Sequence, residues 1–110
     1  MNNIKTFDQL FEAAKQPTVK FMQWTCHVNK AEYENGRTAL ELINAKNGED
    51  VLVATVNIPE EKIAPDEVII KDYSENEGIL QVLVNAKIIS EPIRTVHTGF
   101  VECPVCKLLI

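Results

Sequence analysis

Glycine is scarce in this chain, with four residues in 110. Two of them, Gly36 and Gly48, belong to Asn-Gly turn signals, so little material remains for a loop that cradles phosphates. No Gly-x-Ser-x-Gly elbow and no zinc-protease helix occurs, so an enzyme is not expected. Basic clusters are also missing. Eleven Lys and Arg stand against sixteen Asp and Glu, for a net charge of −5, and direct nucleic-acid binding is not expected from such a balance. No apolar run approaches the roughly 20 residues that span a bilayer, and Met1-Asn2-Asn3-Ile4-Lys5 contains no apolar signal region. A cytoplasmic protein with no membrane partner is the expectation. Three cysteines are an odd number, which argues against a secreted disulfide framework.

What is present is ordinary for a globular chain: 45% hydrophobic and 25% charged residues, enough for one domain over residues 1–110 with its own core. The charge is not evenly spread. The whole excess of −5 falls between Pro59 and Glu77, where seven acids meet two lysines. Such a cluster produces a local negative field that can steer a cationic partner. It also suits a solvated loop leading into a helix.

Thr6-x-x-Gln9 has the form of a capping box. Phe7, Leu10, Phe11 and Ala14 then follow at helical spacing, predicting a short amphipathic helix that ends near Gln16, before Pro17. From Thr18 to about Tyr33 the chain is rich in β-formers. Met22, Trp24, Cys26 and Val28 alternate with Phe21, Gln23, Thr25, His27 and Asn29, and the first set is expected to face the core. Asn35-Gly36 and Asn47-Gly48 signal hairpins to strands over 38–44 and 51–58. Two-residue turns place Glu34 opposite Arg37 and Lys30 opposite Glu41. That register puts Leu40, Leu42 and Val53 on the face away from Trp24, so either both faces are covered or one hairpin carries a bulge.

Val68-Ile69-Ile70, within the acidic connector, reads as an edge strand. Ser74-x-x-Glu77 is a second capping box, and Ile79, Val82, Leu83 and Ala86 predict a helix from about residue 75 to 86. A last strand follows Pro92, from Ile93 to about Glu102. The order α-β-β-β-(β)-α-β predicts an α+β fold, two helices on a mostly antiparallel sheet of four to five strands.

Cys103-Pro104-Val105-Cys106 is the one motif that looks chemical. As a turn it can present two thiolates to zinc, with Cys26, His27 and His97 as further ligands. Against this, no second Cys-x-x-Cys occurs, no glycine follows Cys106, and Cys26 and His27 point to opposite faces of a strand. Free cysteines packed as small core residues are the plainer reading. A redox pair needs a following helix to lower its thiol pKa, and only four residues come after Cys106. His97 alternates with Val96 and Thr98 without an identifiable orienting acid, although a histidine in a cleft is what a small enzyme would use. Asp72-x-Ser74-x-Asn76 resembles the start of a calcium loop but has Glu77 where glycine is needed and Leu83 where a bidentate glutamate is needed. Among the aromatics, Trp24 reads as core, and Tyr73, between Asp72 and Ser74, as a contact residue.

The run Lys71-Asp72-Tyr73-Ser74-Glu75-Asn76-Glu77-Gly78, then a helix, Glu91-Pro92 and Thr98-Gly99-Phe100-Val101, resembles a family of small uncharacterised proteins carried by bacteria, their mobile elements and phages. The resemblance spans most of the chain. It brings no activity, cofactor or catalytic residue and implies a cytoplasmic accessory protein. Three functions follow as expectations. The first is a non-enzymatic module that binds another protein through an acidic surface of Glu60, Glu61, Asp66, Glu67, Asp72 and Tyr73. The second is a module stabilised by zinc on Cys103 and Cys106, in place of a chain with no cofactor. The third is a small enzyme using His97. Unpaired strand edges also allow a monomer or a weak homodimer.

Overall fold

The computed structural model describes residues 16–110, and the helix expected to end near Gln16 lies, through residue 15, outside the described residues. The described chain is α+β, with two antiparallel sheets and one α-helix among the described residues. The first sheet is a meander in the order β1-β2-β3-β4: β1 Thr18–Phe21, β2 Trp24–Glu32, β3 Thr38–Asn44 and β4 Asp50–Val53. The second has the order β5-β7-β6, from β5 Glu67–Ile69, β6 Arg94–Thr98 and β7 Val101–Lys107. Between them come a 3₁₀ turn, Ser74–Asn76, and the helix α1, Ile79–Asn85. Seven strands replace the four or five expected, because two expected strands are each a hairpin.

The first of these hairpins turns at Met22-Gln23. Phe21 pairs with Trp24, and Met22 adopts φ +55°. A left-handed residue with a Cβ costs about 1–2 kcal/mol, so nothing in the composition marks this turn. The break inverts the expected facing. Phe21 is buried while Met22 is 60% exposed, and only Cys26 and Val28 of the expected core set are fully buried. Trp24 is half-buried against the same core. The second hairpin turns at Gly99-Phe100, where Thr98 pairs with Val101 and Gly99 takes φ +60°. Positive φ at the first of two turn residues is the type II′ pattern, which matches strand twist.

The Asn35-Gly36 turn is longer than two residues. Tyr33 N–H donates to the Arg37 carbonyl at 2.8 Å, and Gly36 N–H to the Tyr33 carbonyl at 2.9 Å. Glu34, Asn35 and Gly36 thus form a three-residue loop with Gly36 at φ +86°. The extra residue shifts the register: Lys30 faces Leu40, Asn29 faces Glu41, and Glu34 lies in the loop. It also moves Leu40 and Leu42 onto the face of Cys26 and Val28, where all four are buried. A bulge, one of the two alternatives the sequence left open, is present too, at the register shift between Leu42 and Ile43 of β3 opposite β4. At the next hairpin, Asn44 N–H bonds the Glu49 carbonyl across four loop residues, 45–48.

The helix begins later than its sequence suggests. Ser74 has φ +59° and the first turn is 3₁₀, so the Ser74-x-x-Glu77 box does not form. Asp72 caps the helix instead, its Oδ1 accepting from Gly78 N–H at 2.9 Å and Leu80 N–H at 3.0 Å. At the other end, Lys87 N–H bonds the Val84 carbonyl and Ile88 N–H the Leu83 carbonyl, both at 3.0 Å. That is a Schellman cap, closed by Lys87 at φ +61° in the place that usually takes glycine. Ile79 and Leu83 bury their side chains with Val19 and Phe21 of β1 and with β2 and β3. Each such aliphatic side chain contributes about 1.5–3 kcal/mol by leaving water.

The sheets are joined by backbone. Lys71 N–H donates to the Ala54 carbonyl at 2.8 Å, Val56 N–H to the Ile69 carbonyl at 3.0 Å, and Thr55 bridges Ile70. A second, smaller core forms under this join from Ile58, Ile69, Val96, Cys103 and Val105. No helix among the described residues is long and apolar enough to cross a membrane.

Candidate contact surface at the join of the two sheets

The acidic connector does not present its carboxylates as one open face. Glu67 is 9% exposed. Arg94 grips it with two nitrogens, at 2.9 and 3.2 Å, and Ala64 N–H donates to it at 2.9 Å. The guanidinium, helped by the amide, holds the Glu67 carboxyl down at about 2 despite burial. Asp66 is exposed and meets Lys107 Nζ at 3.3 Å. Glu61 is half-buried, and its carbonyl accepts from Arg37 Nη2, while Arg37 Nη1 donates to the Ile58 carbonyl at 2.8 Å. Asp72 is occupied by the helix amides. Glu60 alone of the six expected contact residues is an exposed carboxylate with no polar partner among the described residues. With Arg37, Arg94 and Lys107 folded against it, the block counts seven acids against five bases, a local balance of −2 in place of −5.

Tyr73 is placed differently. Its ring is half-buried on the smaller core and sits beside a depression of about 510 Å³ where the sheets join. Tyr33, Val53, Thr55, Lys71 and Glu75 also line it. The Tyr33 and Thr55 hydroxyls are 2.8 Å apart, and Thr55 Oγ1 also accepts from Leu40 N–H at 3.3 Å, so the Tyr33 ring is tethered to buried backbone. Lys71 Nζ lies 5.7 Å from the Tyr73 ring centroid and 2.8 Å from Glu75 Oε2. That pairing raises the lysine pKa and lowers Glu75 to about 2. Beneath this rim Asn76 is buried, with Nδ2 donating to the Val53 carbonyl at 2.7 Å and Oδ1 without a partner among the described residues.

The cysteine motif is a strand, not a turn. Cys103 and Cys106 are three positions apart on β7 and point to opposite faces. Cys103 lies in the smaller core and Cys106 in the main one with Cys26. The two thiols cannot share an ion while β7 keeps its pairing. Burial raises all three thiol pKa values, and Cys106 reaches about 11 with Glu91 adding to the effect. No group of three or more metal-ligating side chains gathers among the described residues. His27 is half-buried on the face opposite Cys26, with Nδ1 unpartnered among the described residues. His97 has the acid the sequence did not reveal: Glu102, directly across on β7, with Oε2 at 3.1 Å from Nε2. Both side chains are nearly two-thirds exposed on an open strand face, not in a cleft.

No protein-family model matches the chain, and neither a curated protein nor a solved structure matches it. Of the residues around the depression, sequence reasoning singled out Tyr73 as a contact residue. Tyr33, Val53, Thr55 and Lys71 were not legible as its neighbours, because the join between sheets is what brings them together.

Proposed function

We propose that the chain is a small non-enzymatic module that binds another protein through the depression around Tyr73. The observation that carries this reading is the pairing of two anchored aromatic rings, Tyr33 and Tyr73, with the 43% exposed side chain of Val53 across a concave surface. Aromatic groups held rigidly lose little entropy on contact and are enriched in interfaces. The charged groups of the rim favour recognition over catalysis. Lys71 and Glu75 hold each other in their charged forms through neutral pH, so neither is poised to move a proton. Glu75 lies on the rim and Glu77 is exposed two residues further on, and they favour a partner that brings a basic residue to an apolar contact. A cytoplasmic accessory role, as the family resemblance implies, fits such a module.

The test is a cross-link from the site itself. A photoreactive residue at Tyr73, and a control at Gln81 on the outer helix face, are introduced into protein expressed in its host. Capture of one protein from position 73 only, weakened by Val53→Asp in the wild-type background, supports the reading. Equal capture from both positions, or none from position 73, overturns it.

A further inference from the structure

The open edge of the second sheet carries an inference independent of Tyr73. β6 is an outer strand, paired only with β7. The two-residue turn at Gly99-Phe100 makes Thr98 and Val101 a hydrogen-bonded pair. Such pairs recur at every second residue, so Val96 with Cys103 and Arg94 with Val105 are hydrogen-bonded as well. Thr95 and His97 therefore direct their N–H and C=O groups away from β7. Among the described residues none of these four groups has a partner. Between Arg94 and Thr98 the edge carries no proline and no lysine and its pairing is regular; its Arg94 is turned to Glu67, and a bulge-like bond, Ile93 N–H to the Val105 carbonyl at 2.8 Å, lies just before it. Apolar groups mark both ends of the edge. Phe100 at the turn is fully exposed and Ile93 at the other end is 47% exposed.

We infer that β6 is the interface of a homodimer, pairing antiparallel with β6 of a second copy about an axis through Val96. One register satisfies all four free groups. It sets Thr95 opposite the second copy's His97, and His97 opposite its Thr95, with two hydrogen bonds in each pair. The same register brings Phe100 opposite the second copy's Pro92 and beside its Ile93, so the two exposed apolar ends cover each other. It opposes no like charges. Arg94 faces a threonine, Thr98, and His97 faces Thr95. Arg94 is already paired with Glu67 and with the Lys62 carbonyl of its own connector. The product is a continuous six-stranded sheet with isologous symmetry.

Sedimentation equilibrium from about 1 μM to 1 mM, a span that reads weak association, tests this. The wild-type protein is expected to approach twice its 12.4 kDa chain mass. Thr95→Pro removes one outward N–H and strands the opposing carbonyl while leaving the β6–β7 bonds in place. It should weaken the dimer by about tenfold or more. Phe100→Ser, at a side chain that touches nothing in one copy, should weaken it by about tenfold. If Thr95→Pro does not fold, Phe100→Ser and the amide exchange of wild-type Thr95 and His97, slowed by rising concentration, decide the matter. A monomer throughout the range, or a dimer unchanged by Phe100→Ser with both amides exchanging freely, overturns the inference.

Discussion

Replacing Arg94 by methionine isolates the strongest charge pairing in the structure. Glu67 lies at the start of β5 with a tenth of its side chain exposed, held by two guanidinium nitrogens and one amide. Methionine keeps much of the aliphatic bulk and removes both charged hydrogen bonds. A buried carboxylate that loses such partners costs about 1.5–3 kcal/mol. The Ala64 amide remains and Arg94 is itself partly open to water, so a loss of about 2 kcal/mol is expected for Arg94→Met. At about 4 °C per kcal/mol for a domain of this size, Tm falls by about 8 °C at neutral pH. The effect has a pH signature. Glu67 titrates near 2 in the folded protein against an ordinary 4.5, so its stabilisation is complete above pH 4.5 and disappears as pH falls towards 2. The Tm gap between wild type and variant should therefore close across that window, as followed by circular dichroism. A gap that stays constant from pH 7 to about 3, or no gap at pH 7, would refute the assignment of this ion pair as the main prop of β5.

Four further outcomes are expected. Asn76→Ala removes the partner of the Val53 carbonyl from a part-buried bond and should cost about 1–3 kcal/mol in urea unfolding, with Asn76→Asp no better because it removes the Nδ2 donor. Asp72→Ala should cost about 1 kcal/mol in the same assay by uncapping α1, whereas Ser74→Ala should cost far less because Ser74 caps nothing. Lys87→Gly should stabilise by up to about 1 kcal/mol, since glycine adopts φ +61° without a Cβ penalty. All three thiols should resist an aromatic disulfide reagent at pH 8 in the native protein and react together once it is unfolded. Fast reaction of Cys103 or Cys106 in the native state would contradict their burial.

Much of the first sheet is written in local patterns. The alternation at Cys26 and Val28, the Asn-Gly signals and the apolar spacing of Ile79 and Leu83 all rest on neighbours within a few residues. What escaped was of two kinds. Turns at Met22-Gln23 and at Lys87 use residues that usually avoid positive φ, so composition hides them. The loop at Glu34-Asn35-Gly36 carries the expected signal but one residue more, and that single residue moves every partner on β3. The second kind is long-range. Glu67 and Arg94 are 27 positions apart, and nothing near either announces the other. Of the carboxylates read as an acidic surface, Glu67 and Asp66 are paired with bases from β6 and β7, and Asp72 is taken up by helix amides. Tyr73 was legible as an aromatic between polar residues, but its depression depends on how the two sheets are joined.

The position of β7 has a consequence for how the protein is made. The first sheet joins consecutive strands, and each can pair as soon as its successor leaves the ribosome. The second cannot, because its middle strand is the last to be synthesised. Until residues 101–107 emerge, Val68, Ile69 and Ile70 have no partner on that side, and Val96 stands without its hairpin mate. A nascent chain whose residues 101–107 have not emerged therefore shows this β-segment unpaired to its surroundings or to a chaperone.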